Sequence, residues 1–253
     1  MADEKCDGVA APEFCSGLTI VSKHPIKNVE FLPFTDHGDF FWDYEYFLRR
    51  GAGVVTLEPR PGHTVAVVVS LYTVPYTVLY TVHCTQVTSL ASIDYNYWYR
   101  EHQAADLLQF LRHSTVLAGQ HDKKSDNLSS LIQHLGGNPH INISADHLIV
   151  AGDFNVDPRD NEDTYKSIHA DGLLTNANPH PEDCDSKSST LGNPSNTYTE
   201  KGQKPVVYDY IWYKQAGTTL NEFKVLNLIT EKEEISLSDH QALSAKFTLT
   251  KSS

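Results

Sequence analysis

His147-Leu-Ile-Val-Ala-Gly-Asp-Phe-Asn-Val-Asp-Pro158 is the segment from which the rest of the chain is best read. The apolar run His147 to Ala151 has the length of a short buried strand. Gly152 lets the backbone turn tightly, and Asp153 and Asn155 follow it. Side chains two apart on extended backbone share a face, so a carboxylate and an amide leave the strand end together. Both offer hard oxygen, the ligand atom Mg2+ prefers, and the Asn155 amide N–H can also hold a phosphate oxygen. The same residues equally suit a strand-to-turn junction in which Asp153 and Asn155 only cap a loop. Alone, the stretch does not choose between a metal site and a cap.

Bulk properties narrow the classes. With 253 residues, 40% of them hydrophobic, the chain can build one large domain or two small ones. Its 20 Lys+Arg against 32 Asp+Glu give a net charge of −12. That field disfavours generic binding to nucleic acid or anionic membranes, although divalent cations in a site reverse it locally. No apolar run reaches transmembrane length, and Met1-Ala-Asp-Glu-Lys5 is too charged to open a secretory signal. A cytoplasmic or peripheral membrane protein is expected. Cys6, Cys15, Cys84 and Cys184 lack zinc-type spacing and read as free thiols of a reducing compartment. Asn127 and Asn142 open glycosylation triplets that matter only in a secreted chain.

Along the chain, residues 1–16 look irregular, with no element of their own. Gly17 to Lys23 is a β-prone run, ended by His24-Pro25, and Ile26 to Phe34 is expected to be its partner strand. Phe40, Phe41, Trp42, Tyr44, Tyr46 and Phe47 form an aromatic patch that serves either packing or a lipid or partner surface. Two more strands are expected at Gly53 to Leu57 and Thr64 to Val69, around Pro59-Arg-Pro-Gly62. Tyr-Thr-Val then recurs at 72–74, 76–78 and 80–82, a period that fits neither a strand nor a helix. From Tyr95 to Leu117 the spacing of Ala104, Leu107, Leu108 and Leu111 predicts a helix. Residues 119–146 read as a long polar loop, and a short helix is expected around 160–170. The Pro/Ser/Asn-rich stretch 176–205 reads as substrate-side loop. Strands are expected at 206–213, 222–229 and 242–250. Strands interspersed with helices and no domain break predict a single α/β sandwich.

Two further places carry chemistry. Asp239 and His240 are adjacent and therefore meet different partners. A neutral His takes a proton from water when a carboxylate fixes its tautomer. Asp209 puts a carboxylate into the otherwise apolar Tyr208-Asp-Tyr-Ile211, where burial calls for a His or a metal as companion. Each has a plain alternative, a turn cap for Ser238-Asp-His240 and a backbone contact for Asp209.

Taken in order, these motifs resemble a known family. Gly17-Leu-Thr-Ile-Val-Ser-Lys-His-Pro-Ile26, Tyr99-Arg-Glu-His-Gln103 ahead of a Leu-rich helix, Gly152-Asp-Phe-Asn155, Asp209-Tyr-Ile211 and Leu237-Ser-Asp-His-Gln-Ala-Leu243 are similar to the magnesium-dependent endonuclease/exonuclease/phosphatase superfamily. Its members include deoxyribonuclease I, inositol polyphosphate phosphatases and neutral sphingomyelinases, and the motifs look most like the last of these. The resemblance implies a four-layer αββα sandwich over 17–250, with the site at one end of two sheets. It implies His240 as general base, Asp239 as metal ligand or hydrogen-bond partner, Asp153 and Asn155 on metal and scissile phosphate, and Asp209 orienting a catalytic His. Mg2+ is the implied cofactor. A sphingomyelin-type phospholipid at a membrane surface is the implied partner, cleaved to ceramide and phosphocholine, with no nucleic acid bound.

The chain departs from the family pattern twice. Family members open with an Asn-bearing strand and a Glu that is the main magnesium ligand. Here only residues 1–16 precede the Gly17 strand, Glu4 and Glu13 stand in no matching context, and an N-terminally shortened domain is expected. The family's Thr-His strand end is represented by Thr81-Val-His83, which makes His83 the candidate for that role. An inactive binding homologue, or a superfamily phosphatase or nuclease with another substrate, is the alternative reading.

Overall fold

The computed structural model describes residues 2–3, 19–34, 51–71, 95–116, 145–159, 163–185, 188–230, 232 and 234–250. The elements are β1 (Ala2–Asp3), β2 (Thr19–Ile20), β3 (Ile26–Pro33), β4 (Gly51–Arg60), β5 (His63–Leu71), α1 (Tyr95–Val116), β6 (His147–Asp153), α2 (Asp163–Ala170), β7 (Thr175–Asn176), β8 (Asp209–Tyr213), β9 (Thr218–Leu226) and β10 (Ala242–Leu249). Six strands make one sheet in the order β3-β4-β5-β6-β8-β7, β9 and β10 form a separate antiparallel ribbon, and β1 pairs with β2.

Val- and Thr-rich β4 and β5 suit pleated backbone and pair as a hairpin. Pro61-Gly62 turns it, with Gly62 at φ 73° and its N–H on Glu58 Oε1 at 3.0 Å. β5 and β6 run parallel, so the chain between them must cross over, and α1 lies in that connection. β8 then returns antiparallel to β6.

The core follows from strand register. Val54, Val68, Val150 and Trp212 stand side by side across β4, β5, β6 and β8. They share one buried cluster with Leu107 and Leu111 of α1 and Ile168 of α2. Each fully buried Val or Leu of this kind contributes ~1.5–3 kcal/mol. The next row, Val55, Val67, Ile149 and Tyr213, points to the opposite face. There Tyr213 meets Phe247 of β10, ring centroids 5.1 Å apart, and His147 Nδ1 lies 3.0 Å from Thr218 Oγ1 of β9. Helices, sheet and ribbon stack in that order, so the α/β class is as expected, and the described residues form three of the four expected layers.

Most expected elements are present, with shifted bounds. The irregular reading of 1–16 is corrected at Ala2–Asp3, which pairs with Thr19–Ile20. β3 is not the partner of the Gly17 run: its alternating residues pair with β4 from Asn28↔Thr56 to Pro33↔Gly51. β8 begins at Asp209 rather than 206, because Val206 is engaged in a bridge with Leu191. β9 starts earlier than expected, at Thr218, directly after the Gly217 turn with φ 68°. The aromatic patch, the Tyr-Thr-Val repeat, the 119–144 part of the expected loop and Cys6, Cys15 and Cys84 lie outside the described residues. Cys184 is a free, half-buried thiol.

Tyr210 pins the turn that follows β6. Its ring packs edge-on against Phe154 with centroids 5.6 Å apart, and its hydroxyl reaches the carbonyls of Val156 at 2.6 Å and Val207 at 2.9 Å. Burial pushes the phenol pKa well up, so the hydroxyl remains a donor. Tyr210→Phe leaves buried carbonyls without that donor and is expected to cost about 1–3 kcal/mol. The check is a urea titration in which the midpoint falls while the slope is unchanged.

Candidate active site

The antiparallel register of β6 and β8 sets Asp153 directly opposite Asp209. Like charges facing each other across a ladder destabilise it unless a cation answers them. One residue further on, Phe154 N–H donates to Tyr208 O at 2.8 Å, so the pairing holds past the carboxylates. The group that meets them is His240, whose ring Nδ1 sits 2.7 Å from Asp209 Oδ2. Both side chains are mostly buried, 26% and 18% exposed. Burial alone draws the His240 ring toward its neutral form. The charge and hydrogen bond of Asp209, followed by the charges of Asp153 and Asp239, outweigh it and raise the pKa to about 9.

Asp153, Asp209 and His240 each place one ligand atom within 4.8 Å of the other two. The two carboxylate oxygens, with excess negative charge around them, are the ligand type a hard divalent cation takes, while the imidazole nitrogen is held by Asp209. Asn155 joins this group through backbone. Its N–H donates to Asp153 Oδ1 at 2.8 Å, and it holds φ 50°, a left-handed conformation Asn tolerates better than most residues. The capping reading of the Gly152-Asp-Phe-Asn155 turn is met by one oxygen of Asp153, a residue that also belongs to the three-donor cluster.

The remaining candidates are placed less centrally. Asp239 is half-buried, accepts from Ser238 Oγ at 3.3 Å and adds to the negative field at His240, without being one of the three clustered donors. His83 lies outside the described residues. Residues that sequence reasoning did not single out also bear on the site. Within 188–200, Ser189, Thr190, Asn193 and Asn196 are buried. Thr190 and Asn196 hydrogen-bond to the backbone on either side of the Asp209–His240 contact. The density of Asn and Thr in that stretch was the available signal, since such side chains bind backbone groups.

The chain matches the model of the Endonuclease/Exonuclease/phosphatase family over residues 16–240. No match is found among curated protein sequences. Among solved structures, SmcL superposes with TM-score 0.58 at 16% identity, covering 90% of this chain and 68% of that one. A beta toxin mutant from Staphylococcus aureus with bound magnesium ions gives 0.55 at 17% identity, covering 91% and 68%. Sphingomyelinase C from Streptomyces griseocarneus gives 0.50 at 20% identity, covering 88% and 65%. The chain spans 60–68% of the length of the structures it resembles. At these identities the likeness is one of fold. No helix among the described residues is long and apolar enough to cross a membrane.

The His240 pKa lies above its ordinary 6.5, so in metal-free protein the ion pair with Asp209 stabilises fully below pH 6.5 and is lost as pH rises toward 9. In chelator-treated protein the His240 ring is expected to titrate near 9 by nuclear magnetic resonance. Asp209→Asn removes the largest influence raising it, so burial dominates and the titration moves well down. An unchanged His240 titration in that variant contradicts the assignment of Asp209 as its partner.

Proposed function

Because the chain belongs to the endonuclease/exonuclease/phosphatase family, we propose that it is a magnesium-dependent phosphodiesterase cleaving a sphingomyelin-type phospholipid to ceramide and phosphocholine. Members of the family are metal-dependent hydrolases of phosphate esters. The observation that carries the reading for this chain is the 2.7 Å contact between His240 and Asp209, with Asp153 directly across the ladder.

In this reading His240 is the base. Asp209 holds Nδ1, which leaves Nε2 to take the proton from the attacking water. Asp153 and Asn155 serve the metal and the scissile phosphate, Asp209 lies close enough to share in metal binding, and Asp239 supports the site beside them. A divalent cation held there supplies positive charge against the phosphoryl oxygens, so that attack on phosphorus does not bring anion onto anion. Positive charge at the carboxylates would offset part of what raises the His240 pKa, and burial would then favour the neutral ring that a base requires.

The substrate class is supported by surface chemistry. Beyond β9 the chain turns back on itself, with Leu237 N–H on Leu228 O at 2.7 Å and Thr230 N–H on Ile235 O at 2.8 Å. Leu228, Ile229 and Leu237 on this arm are 49%, 50% and 58% exposed, and Leu237 immediately precedes Ser238-Asp-His240. An apolar rim beside the base suits a lipid better than a polyanion, and a charge of −12 points the same way. The ordered motifs resemble neutral sphingomyelinases, and a sphingomyelinase C is among the structures sharing the fold.

With vesicles containing sphingomyelin, phosphocholine release is expected with Mg2+, none with chelator, and about 10²–10⁴-fold less from His240→Ala. A folded chain that releases nothing at any Mg2+ concentration removes the activity and leaves a binding homologue. Hydrolysis of nucleotide or inositol phosphate esters, but not of sphingomyelin, keeps the hydrolase and replaces its substrate.

A further inference from the structure

β8 and β10 lie in different sheets, so no ladder sets the distance between Asp209, which opens β8, and His240, which precedes β10. The two are nevertheless brought to 2.7 Å. Thr190 hydrogen-bonds to the backbone of Asp209 and to that of Gln241, the residue after His240. Its hydroxyl Oγ1 accepts the Tyr208 N–H at 2.9 Å and the Asp209 N–H at 3.2 Å. Its carbonyl accepts the Gln241 N–H at 2.7 Å, one residue past His240. Thr190 is 1% exposed, so its hydroxyl meets those donors without competition from water.

The loop that presents Thr190 is itself anchored. Thr190 N–H donates to Val206 O at 2.9 Å, and Leu191 pairs with Val206 in both directions. Gly192 follows at φ 68°, and a Cβ there would come within 2.5 Å of Lys204 O, so the loop lies directly on the segment leading into β8. On the other flank Asn196, 4% exposed, donates from Nδ2 to Ser238 O at 2.9 Å and Asp239 O at 3.1 Å. The turn before His240 is thus gripped on both sides by one loop.

We propose that Thr190 is a positioning residue that sets the Asp209–His240 pair, with Asn196 holding the turn in front of it. The geometry stands by itself, and its kinetic consequence rests on the hydrolase reading above. Thr190→Val keeps the shape of the side chain and removes the acceptor, while Thr190→Ser keeps the acceptor. A displacement of catalytic groups on the order of 1 Å can cost about 10²-fold.

The experiment measures sphingomyelin hydrolysis with Mg2+ in wild type, Thr190→Val, Thr190→Ser, Asp209→Asn and the Thr190→Val/Asp209→Asn double variant. In parallel, the downfield proton resonance of the hydrogen-bonded His240 ring N–H is recorded on chelator-treated protein. Thr190→Val is expected to lose on the order of 10²-fold in kcat at unchanged KM. Thr190→Ser keeps wild-type kcat, and the double variant is no slower than Asp209→Asn alone, since both changes act on one contact. The ring resonance is expected in wild type and Thr190→Ser and absent in Thr190→Val. A Thr190→Val protein that keeps both resonance and kcat overturns the proposal, as does a kcat loss that adds in full to that of Asp209→Asn. Should Thr190→Val fail to fold, Asn196→Ala is measured in its place: loss of the resonance in a folded chain supports the clamp, and its retention with wild-type kcat overturns it. If wild type hydrolyses nothing while the resonance still responds to Thr190, the hydrolase reading fails and the positioning role stands.

Discussion

Two carboxylates held face to face across a pair of hydrogen-bonded strands are the constraint from which the site follows. Asp153 ends β6 and Asp209 begins β8, and the register leaves them no separation. Strand pairing cannot slip by one residue to relieve the repulsion, because Val150 and Trp212, three residues away on the same strands, would leave the core. The apolar register therefore enforces the electrostatic conflict. The conflict in turn demands positive charge at one point in space, and His240 meets it with a hydrogen bond to Asp209.

An arrangement of this kind is expensive for folding and useful for chemistry. Apolar residues at 153 and 209 would make a better ladder, since charges out of water are repaid only by close, well-bonded partners. What the carboxylates supply is negative charge fixed on rigid backbone, beside a titratable ring poised between two opposing influences. Burial favours neutral His240, and the surrounding acids favour its charged form. Which form prevails depends on how much of the acid charge is answered by something else. Perturbed groups with opposed influences of this kind gather at functional sites, and the family to which the chain belongs is consistent with that placement.

Much of this was legible in the residues, and what was not has physical causes. β4, β5 and β6 announce themselves as short apolar, β-branched runs and α1 by its helical spacing, and all four answer to one buried cluster. Asp209 was legible for the opposite reason, a carboxylate interrupting an apolar run, whereas Asp153 and His240 drew notice as chemistry-bearing side chains at turns next to strands. β1 was invisible because a two-residue pairing with Thr19–Ile20 leaves no period to detect. The late start of β8 was invisible because Val206 pairs with Leu191 and Tyr208 directs its N–H to Thr190, partners set by a loop far back in the chain. Reading 176–205 as substrate-side loop placed it near the site, yet missed that it carries hydrogen bonds inward.

That loop shows how a structure without regular elements can still impose distances. A ladder repeats one spacing, and it can only align residues on neighbouring strands of the same sheet. Joining the end of a six-stranded sheet to the start of a separate ribbon requires contacts that do not repeat. Asn and Thr side chains provide them, because each can reach backbone groups that a strand would otherwise pair. Their buried polar atoms then leave little slack, since a lost partner inside the fold is not replaced by water. Thr197 and Ser236 exchange hydrogen bonds at 2.9 and 3.0 Å, and Asn227 reaches Ser195 O at 2.6 Å, so the same loop also fixes the apolar arm beyond β9. His240, its carboxylate partner and the exposed apolar arm are consequently referred to one segment of chain. Their mutual geometry is a property of that segment more than of either sheet.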